Sequence, residues 1–158
     1  MVSPIDKNVG RRGVLKSAGL GVLAAAGSGL LAKTASATPD TAAKALAKMT
    51  GTDSMVEGKV KLKLPQIAEN GRTVPLTVSV DSPMSDASHV KQIHIVADGN
   101  PTPEMITFNL TPGAGKAELS TRVRLGKTQN IIAAAVMNDG SVYMAKQQVK
   151  VTIGGCGG

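Results

Sequence analysis

Chemistry in this chain concentrates on one residue. Cys156 is the only cysteine, and it stands between Gly154-Gly155 and Gly157-Gly158 at the close of the sequence. A thiolate is a good nucleophile, and sulfur–sulfur bonds form and break by thiolate attack. The four glycines offer no side chain to pack and cost backbone entropy to order. Chain ends also stay mobile. The pattern predicts a flexible arm over residues 154–158 with a covalent attachment point on Cys156. At roughly 3.3–3.6 Å per residue, the thiol would sit about 10 Å beyond Ile153. No Lys, Arg or His adjoins Cys156 in sequence, so nothing local draws its thiol below the free range of about 8.5. Activation then falls to a partner enzyme. Prenylation needs a cysteine fourth from the end, and Cys156 is third. A lone cysteine forms no internal disulfide, and in an exported chain it points to a reactive thiol or to intermolecular pairing.

Other chemistry finds little support. His89 and His94 have no cysteine or clustered acids beside them, which favours exposed or satisfied strand histidines over metal ligands. Met49, Met55, Met84, Met105, Met137 and Met144 are dispersed, a pattern of core packing and not of a copper site. Ser, His and Asp form no recognisable nucleophile motif. The expectation is a chain with no catalytic residue, metal or cofactor of its own.

The arm needs a compartment and a support. Lys7, Arg11, Arg12 and Lys16 precede an apolar, Gly- and Ala-rich stretch over residues 17–32, and Ala35-Ser36-Ala37 offers an A-x-A cleavage site. Arg11-Arg12-Gly13-Val14-Leu15-Lys16 resembles the twin-arginine signal S/T-R-R-x-F-L-K, with departures at Gly10 and Val14. Residues 1–37 are therefore expected to be a removable leader that directs the chain to the periplasm by the twin-arginine route. The stretch is too Gly-rich to make a membrane anchor. The formal net charge of +7 owes much to Lys7, Arg11, Arg12, Lys16 and Lys33, which Asp6 alone opposes within the leader. The remaining charge is too small for a nucleic-acid footprint. Phe108 and Tyr143, with no Trp, supply no stacking platform for single strands.

Residues 38–153 supply the support. Residues 38–50 read as a short helix capped by Thr41 or Asp40. Period-two alternation then predicts strands at Val60-Leu62-Leu64, Val74-Leu76-Val78-Val80, residues 90–97, 105–110, 117–125, 130–137 and 142–153. Pro75 suits an edge or a strand start. Lys59, Lys61 and Lys63 read as a solvated strand face, with steering of anionic partners as a second reading. Asp98-Gly99-Asn100-Pro101 is turn chemistry, and Asn138-Asp139-Gly140 a hairpin loop. Seven short strands with regular turns predict an all-β fold, an antiparallel immunoglobulin-like β-sandwich with a short N-terminal helix. The sequence lacks the Cys pair and core Trp of antibody domains.

The ending Val149-Lys150-Val151-Thr152-Ile153-Gly154-Gly155-Cys156-Gly157-Gly158 resembles that of the SoxY family, carriers of the bacterial Sox sulfur-oxidising system. The segments at residues 71–78 (GRTVPLTV), 96–101 (VADGNP) and 119–125 (LSTRVRL) are similar to family segments, and the twin-arginine leader is a family habit. The resemblance implies a periplasmic heterodimer with a SoxZ subunit. It implies that the haem enzyme SoxXA joins thiosulfate oxidatively to Cys156. The dimanganese hydrolase SoxB would release the terminal sulfone as sulfate, and SoxCD, where present, would oxidise the remaining sulfane. The four glycines would give each enzyme access. A Gly-Gly thiocarboxylate carrier is disfavoured by the export signal and by Cys156. An exported β-sandwich binding module would leave the arm unexplained.

Overall fold

The computed structural model describes residues 37–154. It opens with helix α1, Pro39–Thr50. Thr38 is its N-cap, in place of the expected Thr41 or Asp40. Thr41 serves as the reciprocal partner, its backbone N–H donating to Thr38 Oγ1 at 3.3 Å while Thr38 N–H donates to Thr41 Oγ1 at 2.6 Å. This satisfies two donors that a helix start otherwise leaves unpaired. Pro39 sits at the first turn, where a missing N–H costs nothing. Gly51 ends the helix at φ 78°, a left-handed conformation open to glycine.

Nine strands follow: β1 (Val56–Glu57), β2 (Val60–Lys63), β3 (Ile67–Asn70), β4 (Val74–Val80), β5 (Val90–Ala97), β6 (Glu104–Asn109), β7 (Glu118–Val123), β8 (Gln129–Met137) and β9 (Val142–Ile153). They form two sheets. One has the order β1-β9-β8-β5-β6 with β3 also on β9, and the other is β2-β4-β7. The expected all-β sandwich with a short N-terminal helix is present, and the seven anticipated strands are all found. The two additional strands are β1 and β3, both paired parallel to β9, so the larger sheet is mixed. They are short and mostly exposed, and so carry no alternation to read. They share the edge of β9 that β8 leaves free: β1 lies opposite Tyr143 and Met144, and β3 opposite residues from Lys150 to Ile153.

Alternation builds the core. Val74, Leu76, Val78 and Val80 point inward from β4, while Pro75, Thr77 and Ser79 point outward. β4 is the central strand of its sheet, yet Pro75 is tolerated because β2 stops at Lys63, opposite Thr77. Ile93 and Ile95 of β5, Ile131, Ala133 and Ala135 of β8 and Val149 of β9 meet them from the other sheet.

β8 is apolar on both faces and β5 adds Val96 to the outer one, and the helix explains why. Ala42 and Leu46 of α1 cover Val96, Ile132, Ala134 and Val142 on the outer face, with Met49, Met55, Val136 and Met144 around them. Ala42 and Ala134 are fully buried, small enough to bring helix and sheet close. The methionines thus pack, as expected. Burial of Leu46 contributes about 1.5–3 kcal/mol.

Candidate functional site: the root of the cysteine arm

Arg11, Arg12, Gly155, Cys156, Gly157 and Gly158 lie outside the described residues, and Gly154 is the one residue of the expected arm within them. What the structure describes is the ground on which the arm stands. β9 outruns its antiparallel partner: β8 begins at Gln129, opposite Val149. Past that point β3 holds one edge of β9. Gly71 N–H donates to Ile153 O at 2.8 Å, and Thr152 Oγ1 donates to Glu69 O at 2.9 Å. On the other edge Val151 N–H donates to Thr128 Oγ1 at 3.0 Å. Every residue from Val151 to Ile153 is thus tied to a neighbouring loop or strand.

Those loops are themselves cross-braced. Leu125 N–H donates to Gly71 O at 2.8 Å. Asn100 Oδ1 accepts from Gly126 N–H at 3.0 Å and from Gln129 Nε2 at 2.9 Å, and Asn100 Nδ2 donates to Arg124 O at 2.9 Å. Gln129 Oε1 accepts from Gly99 N–H at 2.8 Å. Asp98, buried, accepts from Asn130 N–H at 2.8 Å and Asn130 Nδ2 at 2.6 Å. Buried polar groups are costly unless paired, and a fully paired network is rigid. Gly99 is required for space: a Cβ there would lie 2.8 Å from Gln129 Cβ.

Gly154 meets this framework directly. A Cβ on Gly154 would run into the carbonyl oxygen of Gly126. The residue was anticipated as a flexible glycine. Its surroundings give it a second reason to be glycine, which is the close approach of another backbone. Cys156 follows two residues later, a span of about 7 Å at most.

The histidines stand apart from this site. His89 Nδ1 lies 3.0 Å from Ser85 O. His94 is 4% exposed, and its Nδ1 lies 3.0 Å from Thr107 Oγ1. Its Nε2 is buried with no partner, against the expectation of a satisfied ring. Burial pushes its pKa down from the ordinary 6.5. Among the described residues no group of three or more His, Cys, Asp or Glu could hold a metal ion, and no helix is long and apolar enough to cross a membrane. Lys59, Lys61 and Lys63 are all exposed as expected, and Lys59 places its ammonium 4.4 Å from the centroid of the Tyr143 ring.

The model of the family "Sulfur oxidation protein SoxY" matches residues 46–156, most of the chain and the cysteine with it. The chain belongs to the SoxY family. The solved sulfur carrier protein SoxY from Chlorobium limicola f thiosulfatophilum is 32% identical, covering 68% of this chain and 89% of that one with a TM-score of 0.58. Superoxide reductase (neelaredoxin) from Ignicoccus hospitalis is 19% identical, covering 73% of this chain and 94% of that one at a TM-score of 0.54. A putative superoxide reductase from Thermotoga maritima is 20% identical, covering 58% and 84% at a TM-score of 0.51. These last two share the fold alone. No curated protein matches the chain. As a SoxY-family member it is a carrier protein of sulfur oxidation.

The three upstream segments that resemble the SoxY family converge at the arm root. Gly71 comes from the first, Asp98, Gly99 and Asn100 from the second, and Arg124 and Leu125 from the third. The sequence reading placed the 98–101 segment as a turn and did not see the bracing of the arm. It also passed over Gly126, Thr128 and Gln129, and took Asn130 only as the start of a strand. The available signal was a pair of amide side chains, Gln129-Asn130, at the mouth of an otherwise apolar strand.

Proposed function

We propose that this chain is a periplasmic carrier that holds thiosulfate-derived sulfur on Cys156 and, paired with a SoxZ-like subunit, presents it to the Sox enzymes. The twin-arginine pattern at Arg11-Arg12 supports the location, and family membership supports the partners SoxZ, SoxXA, SoxB and, where present, SoxCD. The observation that carries the reading is a braced strand end that delivers its chain, through Gly154 and Gly155, to the single cysteine.

The chemistry is a sequence of exchanges on one sulfur. The Cys156 thiol and thiosulfate join through a new S–S bond. One proton and two electrons leave, the electrons going to the haem of SoxXA. Water then attacks the terminal sulfone sulfur, and the S–S bond to it breaks. Sulfate and two protons depart, and a persulfide anion stays on Cys156. SoxCD would oxidise that remaining sulfane. The chain itself supplies a nucleophile, a tether and a rigid base, and the enzymes supply the acid, base and redox groups. A Cys156→Ser variant incubated with SoxXA, SoxZ and thiosulfate should accept no sulfur while keeping the wild-type melting temperature. Sulfur retained on that variant would end the proposal.

A further inference from the structure

The pinned root limits how far the cysteine travels. The backbone of Gly126 stands close against Gly154, and Ile153 just before it is bonded to Gly71. From Gly154 the two steps to Cys156 span about 7 Å. An enzyme that reacts with that thiol must bring its reacting atoms to within this reach of the sandwich, so the end of the sandwich must touch the rim of the enzyme's cleft.

That end has its own surface chemistry. Ile153 is 68% exposed, an isoleucine at the foot of the arm. Its strand neighbours Val149 and Val151 belong to the core or pack against it, so its exposure marks the point where β9 leaves the sandwich. Exposed Arg72 and Arg124 stand in the two loops that brace it, and exposed Glu69 lies on β3 beside it. We propose, resting on the carrier reading, that Ile153 and the surrounding loops at residues 70–72 and 124–128 form the seat for the partner enzyme. The matching surface is the rim of an active-site cleft with an apolar contact for Ile153 and carboxylates facing Arg72 and Arg124. Gly154 is the positioning residue of this seat, holding the arm's exit over the contact.

The structure supplies an internal control. Val56, on β1, is also exposed, at 58%, and lies beside the opposite end of β9, opposite Tyr143. At 3.2–3.4 Å per residue it stands roughly 30 Å from Ile153 along the strand. The experiment compares Ile153→Glu with Val56→Glu in the complex with SoxZ, using sulfur loading on Cys156 by SoxXA. Ile153→Glu should raise KM for the carrier about tenfold, as expected for losing a central apolar contact, with kcat little changed. Val56→Glu should match wild type. Alkylation of Cys156 by iodoacetamide should be equal in all three, since it needs no seat. Two glycines inserted between Gly154 and Gly155 add about 7 Å of reach and should recover much of the loss in Ile153→Glu. Equal KM values for Ile153→Glu and wild type would overturn the seat, as would equal damage from Val56→Glu. Wild-type carrier that accepts no sulfur at all would instead remove the carrier reading, and the seat with it.

Discussion

Among the described residues two places bury polar side chains, and they treat them differently. At the arm root Asp98, Asn100, Gln129 and Asn130 are bonded to one another and to the backbone of residues 99, 124 and 126. On the larger sheet, in β5, His94 keeps one bond to Thr107 and leaves Nε2 with none. The first arrangement converts buried polarity into fixed geometry. The second leaves a titratable ring buried in the sheet that the apolar joint of α1, held by small residues and Leu46, also packs against. Rigidity is concentrated at the end of β9.

The comparison can be strained from either side. The largest loss should come from the apolar joint. Leu46→Ala removes the main helix side chain in it and should cost about 2–5 kcal/mol in urea unfolding, while sulfur loading below the melting transition stays near wild type. At the arm root Asn100→Ala leaves the Gly126 N–H, Gln129 Nε2 and Arg124 O without their partner. It should cost about 1–3 kcal/mol, and unlike Leu46→Ala it should speed amide exchange at Val151 and Ile153. If Asn100→Ala left those amides as protected as before, the bracing of the arm would be wrong.

A third prediction uses pH. The folded-state pKa of His94 lies below its ordinary 6.5 because of burial, so as pH falls the unfolded chain takes the proton first. The contribution of neutral His94 is whole above pH 6.5. It is lost as pH drops from there to the folded pKa, and is level below that. A melting temperature that declines across this window, and a shallower decline in His94→Leu, are expected. An identical slope in both proteins would show that His94 is not the titrating group. The smallest effect belongs to Thr128→Val, which removes the hydroxyl that accepts from Val151 N–H and donates to Val151 O, and should cost about 0.5–1.5 kcal/mol. That loss should again appear as faster exchange at Val151.

Much of this was legible from residue order, for physical reasons. β4 declares itself because Val74, Leu76, Val78 and Val80 face a core and Pro75, Thr77 and Ser79 face water. β5 and β8 read as strands, but the outer apolar face of β8 gave no hint that α1 would cover it. β1 and β3 were missed because their pairing partner lies more than eighty residues away on β9, and exposed residues such as Val56, Glu57, Ile67 and Glu69 show no period. At the site, the expectation of a tether rests on the glycines around Cys156, a matter of composition alone. The crowding of Gly154 by Gly126 is a tertiary fact, as are the bonds of Asn100 to residues more than twenty positions away. Sequence order carries no trace of either.

The central claim is that Cys156 carries the sulfur. Intact-mass spectrometry of the protein purified from the periplasm of its native host growing on thiosulfate, followed by peptide mapping, tests it most directly. The account predicts reducible sulfane, sulfonate or thiosulfonate adducts on the peptide that contains Cys156. A clean thiol on that peptide in cells actively oxidising thiosulfate would contradict it.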